Sequence, residues 1–219
     1  MSPSTSLPVR TALLLVDIQQ GFDDPTHWGT SRSTPQFEAN IARLLAAFRA
    51  AGAPVLHVCH HSVFPASPLH PSKPGSQFMP YASPVPGEPV FPKSTNSPFI
   101  GTNLETVIKN LKIDRLIIGG LMTAHCVSTT LRMASNLRVV DHNYGCVIRE
   151  RGPSGEIILV QDATATFNVN YKGKEYDAET VHAIHLASMD DEFCEVGTTD
   201  GIIESLARGS TPSHVRAKL

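Results

Sequence analysis

The chain has 219 residues, 41% of them hydrophobic, and its 18 basic and 20 acidic side chains give a formal charge of −2. That length supports one substantial core in a single domain. The charges are spread without long runs, which excludes an electrostatic footprint for nucleic acid or an anionic membrane, so neither partner is expected.

The first apolar run, Ala12 to Val16, ends in Asp17, followed by Ile18 and Gln19. A strand over 11–17 therefore carries a carboxylate to its C-terminal end, where open α/β sheets bind ligands. Ser33 and Pro35 precede a helix with the apolar face Phe37, Ile41, Leu44, Leu45 and Phe48, ended by Gly52. Pro54 to Cys59 reads as the second strand, with His57, His60 and His61 grouped at its end. Nine of the 17 prolines fall between Ser62 and Pro92; that stretch is too stiff for a helix and reads as an ordered loop, either over a pocket or as an edge cover. Pro89, Val90 and Phe91 then lead to Lys93, so a cation also arrives at a strand end.

Thr102 with Glu105 three residues later forms a capping box for a helix bearing Leu104, Val107, Ile108 and Leu111. Leu116, Ile117 and Ile118, bounded by Gly119 and Gly120, read as a parallel strand buried on both faces. Val127, Leu131 and Ala134 recur at helical spacing, so a helix starts near His125 or Cys126. A thiol at a helix N-terminus is expected to fall from about 8.5 toward neutrality. Free cysteine also packs as a small hydrophobe, but the company of Asp17 and Lys93 at other strand ends points to a nucleophile. Arg138 to Glu156 suits a small hairpin or a segment packed between subunits. Ile157 to Gln161 is a further strand ending at Asp162, Asp177 to Met189 a helix, Phe193 to Val196 a last strand and Thr199 to Ala207 a closing helix. The alternation predicts a parallel sheet covered on both faces.

Cysteines at 59, 126, 146 and 194 lack CxxC spacing and the density of a secreted disulfide scaffold. Cys59 and Cys194 read as inert core. The longest apolar stretches are under ten residues and the leading MSPSTSLPVR is polar, so no transmembrane helix and no signal peptide are expected. Flexible segments are expected at 1–10 and 208–219 around a domain over 11–207. The tail ends Ala217, Lys218, Leu219, a variant of the Ser-Lys-Leu peroxisomal address or a chance tripeptide, so the expected location is cytoplasmic or peroxisomal.

Three blocks, LLLVDIQQGF at 13–22, FPKSTNSPFIGTNLE at 91–105 and GGLMTAHCVSTTLRMA at 119–134, resemble the isochorismatase-like cysteine hydrolase superfamily, which includes nicotinamidases, N-carbamoylsarcosine amidase and streptothricin hydrolase. The resemblance runs from about residue 11 to about residue 206. It implies a three-layer α-β-α Rossmann-like fold with a mostly parallel central sheet and a catalytic triad of Asp17, Lys93 and Cys126. It also implies a cis peptide at Leu121–Met122, with the backbone N–H groups of Met122 and Cys126 as an oxyanion hole. Isochorismatase proper lacks this cysteine, so the resemblance implies hydrolysis of a C–N bond in a small amide, carbamoyl compound or lactam rather than vinyl-ether cleavage. Position beside the triad makes Gln19, Phe22, His61, Phe64 and His125 candidate substrate contacts. Nicotinamidases of the family hold a metal through an aspartate and histidines, whereas this chain has CHHS there; no metal and no cofactor are expected, with a zinc-assisted nicotinamidase as the alternative. A catalytically silent binding module is the alternative from another class. Relatives commonly form dimers or tetramers, so a homo-oligomer acting on a small molecule is implied.

Overall fold

Short aliphatic runs are most stable with both faces covered, and they form the interior of one sheet in the computed structural model, which describes residues 9–140 and 156–208. In chain order the elements are β1 (Thr11–Val16), α1 (Pro25–Trp28), α2 (Phe37–Ala50), β2 (Val55–His60), β3 (Val90–Lys93), α3 (Leu104–Leu111) and β4 (Arg115–Leu121). After a π-helical turn at Thr123–Val127 come α4 (Ser128–Asn136), β5 (Glu156–Ala165), β6 (Val169–Tyr171), β7 (Lys174–Tyr176), α5 (Ala178–Ala187), β8 (Glu195–Gly197) and α6 (Thr199–Arg208). Six strands form a sheet in the order β3-β2-β1-β4-β5-β8 with parallel pairing throughout. β6 and β7 form a separate antiparallel hairpin.

Alternation along β1 divides the core. Leu13 and Leu15 pack with Ile41, Leu44, Leu45 and Phe48 of α2 and Ile202 of α6. Ala12, Leu14 and Val16 pack with Leu104 and Ile108 of α3 and Leu131 and Ala134 of α4. Each fully buried Leu or Ile contributes about 1.5–3 kcal/mol. These layers bear out the expected α/β fold. Chain order reverses direction between β1 and β4, and at such a switch point the crevice outside the strand ends is open to a ligand.

Several boundaries differ from the sequence reading. β5 continues past Asp162 because its register against β4 shifts between Ile118 and Gly120, and the bulged strand resumes pairing at Thr164 and Ala165. Thr102 is not the cap of α3: Asn103 precedes the helix, Thr102 Oγ1 accepts from Leu104 N at 3.1 Å, and Glu105 reaches forward to Lys109 rather than back. Cys194 lies just before β8 rather than inside it, yet both it and Cys59 are buried. The β6–β7 hairpin was not anticipated, since its strands are three residues each and mostly exposed. The loop from Ser62 to Pro92 buries Leu69, Met79 and Ala82 and bridges Gln19 through Phe78, just beyond the end of the central strand β1. The hairpin expected within Arg138 to Glu156 falls almost wholly at 141–155, outside the described residues, as do Cys146 and the Ala217-Lys218-Leu219 tripeptide. Among the described residues no helix is long and apolar enough to cross a membrane.

Gly120 illustrates how tightly β1 and β4 meet. Its φ is +134°, and a Cβ there would stand 2.1 Å from the carbonyl oxygen of Val16. Gly120→Ala is therefore expected to destabilise the fold by about 3 kcal/mol or more, read as a lowered urea midpoint; an unchanged midpoint would contradict this packing.

Candidate active site

Register brings three chain segments to one end of the sheet. Val16 pairs with both Val58 and Gly120, and His60 pairs with Lys93, so β1, β2, β3 and β4 end together. Asp17 follows β1 with a left-handed φ of 54°, its N–H donating to Val58 O at 3.0 Å. Aspartate tolerates that backbone better than most residues. Lys93 is the last residue of β3, and Cys126 lies within the π-helical turn after β4.

The three side chains converge. Lys93 Nζ donates to Asp17 Oδ2 at 2.6 Å and to Cys126 Sγ at 3.3 Å, and all three residues are buried. A third acceptor, His60 Nδ1, stands 3.1 Å from the same ammonium. Asp17, His60 and Cys126 offer ligand-type atoms within 4.8 Å of one another, and the cation that this group holds is the ammonium of Lys93. Among the described residues, Asp17 Oδ1 is buried without a hydrogen-bond partner. Asn96 Nδ2 approaches the sulfur at 3.8 Å from the loop after β3.

The electrostatics overturn one expectation. Burial first, then the neighbouring Asp17 carboxylate, push the Cys126 thiol up to about 12, and Lys93 offsets only part of this. The expected fall toward neutrality assumed a thiol exposed to a helix N-terminus; instead Cys126 is 8% exposed and precedes α4 inside the π-helical turn. Cys126 is therefore held as a neutral thiol. Burial alone pushes Lys93 down, but Asp17 and Cys126 outweigh it and hold the ammonium above its ordinary value. Cys59 is likewise pushed up, to about 11, chiefly by burial, consistent with an inert thiol.

The turn carrying the sulfur is braced from α5. Thr123 Oγ1 lies 2.8 Å from His182 Nδ1, and His182 Nε2 lies 3.1 Å from Gln161 O. The carbonyl can only accept, so the ring proton sits on Nε2 and Nδ1 accepts the threonine hydroxyl. Burial lowers the pKa of His182, in keeping with a neutral ring. Leu121–Met122 is a cis peptide, and Met122 O accepts from His125 N and Val127 N.

The remaining candidates separate. Gln19 is fully buried and bonds His60 N, His60 O and Ser76 O, so it stitches β1 to β2 and the following loop instead of facing a ligand. Phe22 is core, stacked on Trp28 at 4.9 Å. Phe64 is 71% exposed. His61 Nε2 lies 3.7 Å from Cys59 Sγ, and His125 is an exposed neighbour of Cys126. The three histidines grouped at the end of β2 diverge: His57 pairs with Glu88 at 2.8 Å, His60 with Lys93 and His61 with Cys59. Alternation turns His57 and His60 to opposite faces of β2, and His61 follows the end of the strand. Burial keeps His57 below its ordinary pKa despite Glu88, which bonds to Arg49, Val85 and His57 hold at about 2.

Sequence reasoning missed Asn96 and the contact of His60 with Lys93. That His60 and Lys93 each close a strand-like run was the available signal for the second; no signal pointed to Asn96.

A doubly wound parallel sheet with a buried acid, ammonium and thiol at the ends of its strands is an α/β architecture with one candidate active site. The Isochorismatase domain family matches residues 11–201, and the chain belongs to that family of hydrolases. It is 37% identical over 200 residues to the uncharacterized isochorismatase family protein YrdC of Bacillus subtilis (strain 168), covering 91% of this chain and 97% of that protein. It is 27% identical over 201 residues to the ureidoacrylate amidohydrolase RutB of Pseudomonas syringae pv. syringae (strain B728a), covering 76% and 80%. A crystal structure of a putative hydrolase of the isochorismatase family from Chromobacterium violaceum ATCC 12472 superposes with a TM-score of 0.78 at 37% identity, covering 93% of this chain and 99% of that one.

Proposed function

We propose that this chain is a cysteine hydrolase that cleaves a C–N bond of a small amide, carbamoyl compound or lactam through a thioester on Cys126. The observation that carries the reading is the Lys93 ammonium held 2.6 Å from Asp17 and 3.3 Å from Cys126 in a buried site. Similarity to an amidohydrolase supports the choice of bond.

Asp17 is the general base, and its unpartnered Oδ1 is a free acceptor for the thiol proton. Because the thiol is held near 12, little thiolate exists before substrate arrives, and proton loss is coupled to attack. As charge moves onto sulfur and then onto the carbonyl oxygen, Lys93 stabilises it. The backbone N–H groups of Met122 and Cys126 receive the oxyanion, a donor of this kind being worth about 3 kcal/mol. Collapse breaks the C–N bond, and the proton held by Asp17 passes to the departing nitrogen. Water then gives its proton to Asp17 and adds to the thioester; collapse expels the sulfur, which recovers the proton from Asp17.

Release of ammonia or amine across a panel of small amides, carbamoyl compounds and lactams tests this. Turnover of one of them is expected, with Cys126→Ala at least about 10³-fold slower and an acyl adduct on the wild-type thiol by intact mass. Turnover that survives in Cys126→Ala would remove the sulfur from the mechanism. A panel that gives neither turnover nor adduct would favour a binding module.

A further inference from the structure

We infer that His60 is a positioning residue that anchors the Lys93 ammonium between Asp17 and Cys126; this rests on the hydrolytic reading of the site. An ammonium has three N–H donors and no acceptor. Here the three acceptors are Asp17 Oδ2 at 2.6 Å, His60 Nδ1 at 3.1 Å and Cys126 Sγ at 3.3 Å. Since Nζ can only donate, Nδ1 of His60 accepts, and the ring is neutral with its proton on Nε2. Burial and the Lys93 charge both lower the pKa of His60, in keeping with that neutral form.

The geometry gives His60 a task that Asp17 and Cys126 cannot perform. Sulfur is the weakest acceptor of the three and lies farthest from Nζ. Without the imidazole, a buried ammonium is left with an unmet donor and is drawn toward the carboxylate, away from the atom it must stabilise. The ring itself is fixed from its own backbone: His60 N donates to Gln19 Oε1 at 2.7 Å, and His60 O accepts from Gln19 Nε2 at 3.1 Å. The buried Gln19 is thus tied to the same device.

Three substitutions test it. The amide oxygen of His60→Asn stands where Nδ1 stood, that of His60→Gln reaches the place of Nε2, and His60→Ala has neither. On an amide that the wild type hydrolyses, His60→Ala and His60→Gln are expected to lose kcat about tenfold or more with KM within about threefold, and His60→Asn to stay within about threefold of wild type. Iodoacetamide labelling of Cys126 is a second readout that needs no substrate. It is expected to slow in His60→Ala and His60→Gln and to recover in His60→Asn, as the ammonium loses and regains its place beside the sulfur. The Asn and Gln variants keep a polar side chain there should His60→Ala fail to fold. Labelling equal in all four proteins, or Gln as effective as Asn in both assays, overturns the inference. Absence of wild-type turnover with the expected labelling pattern would instead count against the hydrolytic reading alone.

Discussion

Asp17→Asn is expected to abolish hydrolysis while making the nucleophile easier to alkylate. The carboxylate is a general base in the proposed cycle, and removing such a group costs about 10²–10⁴-fold in rate. Yet the same carboxylate, after burial, is what raises the Cys126 thiol toward 12. With the carboxylate charge gone, the Lys93 ammonium is the charge left beside the sulfur, and the thiolate fraction rises. A fall of one unit means about ten times more thiolate, tempered by the lower nucleophilicity of a more acidic thiol, so labelling at pH 8 should quicken by about threefold or more. Iodoacetamide kinetics followed by intact mass, set beside amide turnover, read both effects on one protein. Slower labelling in Asp17→Asn would refute the assigned field of the carboxylate, and retained turnover would refute its role as base.

Lys93→Met is expected to be the most damaging substitution to the fold itself. Both side chains of the Asp17–Lys93 pair are fully buried, and removing one partner leaves a charge with neither water nor counterion. Such losses run to about 3–5 kcal/mol, a large fraction of the stability of a typical domain. The double variant Asp17→Asn/Lys93→Met removes the stranded charge as well, so it should recover much of the loss even though it stays inactive. Chemical denaturation of the four proteins completes the cycle. Additive losses would mean that the two groups do not share the electrostatic bond described here.

Asp17 and Lys93 are 76 residues apart in the chain, yet each could be found from the sequence. Both close a short apolar run, and in a parallel sheet the ends of such runs assemble along one edge. Cys126 was legible for the same reason, because it follows the apolar run of β4 by a few residues. Other readings failed where local pattern and global packing diverge. Gln19 sits beside Asp17 in sequence, but its side chain turns inward to bond the main chain of His60 and Ser76. Phe22 belongs to an aromatic stack with Trp28 and Phe167. The histidines at the end of β2 take different partners because alternation turns His57 and His60 to opposite faces.

The sequence by itself determined the alternation of strands and helices and set Asp17, Lys93 and Cys126 near strand ends, because apolar periodicity dictates which segments must be covered; their reading as one catalytic group came from the family resemblance. Only the tertiary structure decided the state of the thiol, the partner of each histidine and the third acceptor of Lys93. Desolvation and through-space fields act over a few ångströms between groups far apart along the chain, and no local spacing of residues encodes them.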